Sequence, residues 1–122
     1  MTESDKKTQL SAIERAKSHF NDKLSGKLLK YHCEEWGIDI YYNSTASLTV
    51  ENKIMALQQQ NKTAEALVES IIAKALDKNG DRLFRSTDKP AFLHEVDPNV
   101  IIKLATKLNN ANADSVEDIV KN

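Results

Sequence analysis

The sequence predicts a mainly α, α+β domain, with about five helices and one small β-hairpin packed on them. Three observations predict it. Apolar residues recur at spacings of three and four along most of the chain, which is the helical period. The period changes to two on either side of Gly37, which is the mark of a short hairpin. Only 3 Gly and 2 Pro punctuate 122 residues, too few for a many-turned β fold.

Leu10, Ile13, Ala16, Phe20 and Leu24 predict a first helix with one buried face. Thr8 or Ser11 can cap it, and Ser11 with Glu14 has capping-box spacing. Ser25-Gly26 should end it, since glycine readily takes the left-handed conformation after a helix. Leu29, Tyr31 and Cys33 then share one strand face, and Ile38, Ile40 and Tyr42 share another, with Asp39 and Tyr41 opposite. The turn falls at Glu34-Glu35-Trp36-Gly37, where Gly37 supplies the positive φ. A two-stranded hairpin is marginal alone and must pack on helices or on another chain.

Thr49 is expected to cap a helix carrying Val50, Ile54, Met55 and Leu57. The polar run 58–62 breaks it. Thr63 is expected to cap the central helix, whose Ala64, Leu67, Val68, Ile71, Ile72 and Ala75 repeat at three and four. Asp77-Lys78-Asn79-Gly80-Asp81 makes a stop and a tight turn, and 82–85 a short extended link. Ser86 or Thr87 starts a short helix with Pro90 near its first turn and Phe92, Leu93 and Val96 apolar. Asp97-Pro98 restarts a helix, with a capping Asp and Pro at the first helical position. Its stripe is Val100, Ile101, Leu104, Ala105 and Leu108. Residues 109–113 break the pattern, and 115–121 hold one last turn. The domain organisation is a disordered tail over 1–7 and a single domain over 8–122.

Composition narrows the function. The hydrophobic fraction is 40% and the charged fraction 29%, which is ordinary for a globular chain and excludes disorder throughout. Seventeen basic and 18 acidic residues leave a net charge of -1, with no basic stripe, so a nucleic-acid partner is not expected. No run approaches the roughly 18 apolar residues of a membrane span, and residues 1–7 have no signal-peptide character, so no membrane partner is expected either. A single cysteine, Cys33, suits a reducing cytosol.

No chemistry stands out. Asp77, Asn79 and Asp81 mimic positions 1, 3 and 5 of a calcium loop, but Arg82 stands where the sharp turn needs glycine, and Asp88 where it needs Glu. The turn reading is preferred. His19, His32 and His94 are dispersed, and His32 and Cys33 point to opposite strand faces. Glu34-Glu35 and Glu117-Asp118 are adjacent carboxylates that diverge. No catalytic residue, cofactor or metal is therefore expected. Trp36, Tyr31, Tyr41 and Tyr42 crowd the hairpin, where packing is favoured over contact with a partner.

The ordered features resemble a family. The hairpin Cys33 to Tyr42 with its Trp36-Gly37, the Asp-x-x-Gly-x-x-Leu-Phe run from Asp77 to Phe84 after an apolar helix, and the closing Lys121-Asn122 are similar to the tail assembly chaperones of long, non-contractile-tailed bacteriophages and prophages. The likeness covers roughly 8–122 and rests on order and spacing. One departure is Glu34, where the family pattern has proline. The resemblance implies a non-enzymatic chaperone in the host cytoplasm, absent from the mature virion. It would bind the tape measure protein and keep it soluble while the tail tube assembles. It implies the short form, with a frameshifted longer form engaging the tail tube protein. Self-association is expected, since several copies along one client gain from multivalency. Tyr41, Tyr42 and Phe84 are the expected protein-binding residues. The alternatives are a small nucleic-acid-binding regulator and a structural tail completion protein.

Overall fold

A computed structural model describes residues 11–110. The expected tail over 1–7, the residues Thr8 and Leu10, the last turn over 115–121 and the closing Lys121-Asn122 lie outside the described residues. Within them the order is α1 (Ala12–Leu24), β1 (Leu29–Cys33), β2 (Ile38–Tyr42), α2 (Leu48–Gln59), α3 (Thr63–Lys74), a 3-10 turn (Ser86–Asp88), α4 (Lys89–His94) and α5 (Pro98–Asn109). Five helices and one antiparallel hairpin make the mainly α, α+β fold that the periodicity predicts.

α3 is the central element. It packs against α2, α4 and α5, and Ala66, Val68, Ser70, Ile71 and Ile72 are all buried on it. Burying each large aliphatic among them stabilises the fold by about 1.5–3 kcal/mol. One buried cluster joins Cys33, Ile40 and Tyr42 of the hairpin to Val68, Ile71 and Ile72 of α3, Phe92 of α4 and the whole α5 stripe from Val100 to Leu108. Every residue of that stripe is where the spacing put it. Asp97 caps α5, its Oδ1 accepting from the Asn99 N–H at 2.9 Å.

Ser70 is a polar residue with no exposure. It is accommodated because its hydroxyl donates to the Ala66 carbonyl at 2.9 Å and accepts from Asn109 Nδ2 at 3.0 Å. The chain continues outward: Lys74 Nζ donates to Asn109 Oδ1 at 2.8 Å and pairs with Glu51 Oε1 at 2.6 Å. These bonds tie α2, α3 and the end of α5 together.

The hairpin forms about the expected turn, with Leu29 opposite Tyr42, Tyr31 opposite Ile40 and Cys33 opposite Ile38. Gly37 sits at φ 65°, so the turn does need its left-handed conformation. His32 and Asp39, on the outward face, meet at 2.7 Å. Cys33 is a fully buried thiol on the other face.

Four local expectations are corrected. α1 forms and Ser11 caps it, its hydroxyl accepting from Glu14 N–H at 3.2 Å. However, no residue of α1 is buried, and Ile13 is 64% exposed. The amphipathic spacing is there without a core to receive it. Gly26 has no positive φ; α1 ends instead with the Ser25 backbone and hydroxyl both donating to the Asn21 carbonyl. α2 is capped by Ser47, whose hydroxyl accepts from Val50 N–H at 3.3 Å, while Thr49 lies inside the helix. Thr63 is the first residue of α3 rather than its cap, and the cap position is Lys62, with no side-chain bond. It follows Asn61, whose φ of 60° reverses the chain there.

After α3 the chain straightens. Leu76 bridges Tyr41 on one side and Arg82 on the other. The 77–81 turn closes through Asp77, whose Oδ1 accepts from the Asn79 and Asp81 N–H groups at 2.8 and 3.1 Å. That is the tight turn the sequence favoured over a calcium loop, with Gly80 at φ 86°. Arg82 turns back onto α3. Its Nη2 donates to the Ile72 carbonyl at 3.0 Å, satisfying an orphan acceptor in the last turn of α3.

Candidate functional site: an apolar groove around α4

One open apolar surface lies around α4. Pro90 sits in the first turn of this short helix, and Phe92 on it is buried. Leu93 and Val96 are half-buried beside it and pack against the core cluster. Across from them stand Leu67 of α3 and Ile101 and Ile102 of α5. Together they line a groove of about 420 Å³. Ile102 is 49% exposed. Its position follows from helix geometry. Ile101 and Leu104 face the core, and one residue is a rotation of about 100°, so Ile102 leans off the buried stripe onto the groove wall.

A second hollow of about 270 Å³ adjoins the first and shares Phe92 and Val96 with it. Its walls are aromatic. Trp36, at the hairpin turn, meets Phe84 edge-on at 6.3 Å, and Phe84 meets Phe92 edge-on at 4.9 Å. Trp36 and Phe92 are tilted at 44° with centroids 6.3 Å apart. Such arrangements are favoured by the ring quadrupoles. They anchor the hairpin turn on α4.

Ion pairs hold the surrounding elements in place. Lys89, at the start of α4, bonds Glu65 at 3.2 Å and Glu69 at 3.3 Å on α3. The hydrogen bond that Lys89 donates to Glu65 holds its ammonium above its usual pKa. Lys53 of α2 also reaches Glu69, at 3.3 Å. At the hairpin, Lys103 donates to Glu35 at 2.8 Å. That bond lowers the Glu35 carboxyl from its usual value and raises Lys103. The two faces of the groove are thus fixed by charges around an apolar floor.

The three expected binding residues do not come together. Phe84 lies in the aromatic wall, half-buried. Tyr42 is 4% exposed and belongs to the core. Tyr41 is half-buried on the opposite face of the hairpin, and its backbone pairs with Leu76. Leu67, Leu93 and Val96 of the groove are apolar packing positions in the sequence pattern rather than expected binding residues, and Ile102 lies outside the expected stripe. A signal existed for Ile102, an isoleucine beside rather than within the stripe of α5. Among the described residues no group of three His, Cys, Asp or Glu side chains is placed to hold a metal ion, and no helix is long and apolar enough to cross a membrane. No protein-family model, curated protein or solved structure matches the chain.

Proposed function

We propose that the chain is a tail assembly chaperone of a long, non-contractile-tailed phage or prophage. On this reading it binds the tape measure protein and keeps it soluble during tail tube assembly, without catalysis. One observation carries the reading physically: the open apolar groove of Leu67, Leu93, Val96, Ile101 and Ile102, braced by ion pairs. A groove of this kind accepts the apolar face of an amphipathic helix, whose anchors recur at i, i+3, i+4 and i+7. A tape measure protein, long and helical with exposed apolar stripes, is such a client. The order of the Trp36-Gly37 hairpin and the Asp77 to Phe84 run supports the family assignment.

The unburied stripe of α1 supports self-association, with several copies along one client. A frameshifted longer form would add contact with the tail tube protein. The chaperone acts in the host cytoplasm and is missing from the finished virion. The test is co-expression of the tape measure protein with and without this chain. The reading expects the client in the soluble fraction only when the chain is present. Equal solubility in both cases would end it.

A further inference from the structure

The hairpin has two outer edges, and they differ. On β2 the edge is bridged at Tyr41, whose N–H donates to the Leu76 carbonyl at 2.9 Å while Leu76 N–H donates back at 2.7 Å. Those bonds also fix which backbone groups face outward on β1. Tyr41 turns its N–H and C=O away from β1, so its partner Lys30 turns its own away from β2. His32, two residues on and opposite Asp39, does the same. Among the described residues no strand or bridge pairs with that outer edge of β1. Unpaired edge groups of this kind are a template for another strand.

Charge selects the occupant. Lys30 and His32 are the exposed side chains of β1, and Lys27 and Lys30 line an open hollow at its start with Leu28, Leu29 and Tyr41. Nearby carboxylates are engaged: Asp39 with His32 and Glu35 with Lys103. Glu34, in the turn at the far end, is exposed as well. A second copy is a poor occupant. Antiparallel pairing of β1 with itself about Lys30 would set that ammonium against its own copy, and like charges opposite each other disfavour pairing. An edge lysine commonly serves to prevent such self-pairing.

We infer that the outer edge of β1, at Lys30 and His32, adds an extended acidic segment of a partner protein as a third β-strand. Main-chain bonds to Lys30 and His32 supply the affinity, and carboxylates facing Lys27 and Lys30 supply the selectivity. This site is separate from the α4 groove, which takes a helix.

The probe is a capped peptide of about seven residues, the length of an ordinary strand, alternating Glu with Val or Thr. It is added to the isotopically labelled full chain while amide exchange is followed by NMR. The expected result is slowed exchange at the Lys30 and His32 amides. Replacing Glu by Lys in the peptide, or Lys30→Glu in the chain, should weaken binding about tenfold or more, and ten is the factor that 1.4 kcal/mol represents. Ile102→Asp should leave this binding unchanged, which separates its failure from that of the groove. Absence of binding, equal binding of the lysine peptide, or protection of these amides that grows with chain concentration in the absence of peptide would each overturn the inference. The last result would mean that a second copy fills the edge.

Discussion

Leu104→Ala and Ile102→Ala, made separately, separate the two faces of α5. Leu104 has no exposure and lies in the cluster with Ile71 and Ile72 of α3, whereas Ile102 is 49% exposed on the groove wall. Truncating Leu104 removes three carbons at about 0.8 kcal/mol each, roughly 2.4 kcal/mol of transfer free energy. The cavity left in a packed core brings the loss to about 3–4 kcal/mol. Ile102 loses only part of that burial and leaves no enclosed hole, so its truncation should cost about 1 kcal/mol or less. Urea unfolding followed by far-ultraviolet circular dichroism measures both. With an m-value of about 1.5 kcal/mol/M, Leu104→Ala should lower the midpoint by about 2 M with the slope unchanged. Ile102→Ala should move it by well under 1 M on the same scale. Comparable losses from the two variants would refute the assignment of faces, and with it the open groove.

The cap correction has a direct test. Ser47→Ala should cost about 1 kcal/mol, as loss of a side-chain cap does, while Thr49→Ala should stay within about 0.5 kcal/mol; equal effects on the urea midpoint would contradict it. Gly37→Ala should destabilise by about 1 kcal/mol through its positive φ alone, since a Cβ there meets no atom within 4 Å. Gly26→Ala, which has no positive φ, should cost less on the same thermal melt. The Glu35–Lys103 pair should add to stability on a plateau with two edges. The lowered carboxyl contributes above the ordinary value of 4.5, and its share is lost as pH falls through the folded pKa. The raised ammonium contributes below the ordinary 10.5, and its share is lost as pH rises through the folded pKa. Lys103→Gln should flatten both edges in a pH series of melts, and added salt should shrink the difference, because the pair faces solvent.

The parts of the fold that were legible in the sequence are those where one local rule decides. α5 has a capping Asp97, Pro98 at its first position and a single apolar stripe, so nothing competed with the helical reading. The hairpin was legible because alternation and one positive-φ glycine agree. What escaped needs contacts distant in the chain. The spacing of α1 is that of a packed helix, but nothing in a local pattern reveals that no core residue lies beneath it. Ser70 reads as a break in an apolar run, and only Asn109, 39 residues on, accounts for its burial. Leu76 looked like the end of a helix and proves to bridge the edge of β2 at Tyr41. Tyr42 carries the amphipathic character of an interface residue, yet strand alternation points it inward. The groove was invisible for a related reason: its walls come from α3, α4 and α5, each contributing a residue at the margin of its own stripe.

The most direct test of the central claim is binding of the purified chain to an amphipathic helical segment of the tape measure protein, measured by titration calorimetry. The wild-type chain should bind it saturably. Ile102→Asp, which places a charge in the apolar groove without disturbing the buried stripe, should weaken binding by about tenfold or more, the equivalent of 1.4 kcal/mol. Equal affinity of the folded Ile102→Asp chain and the wild type, or no binding by either, would contradict that claim.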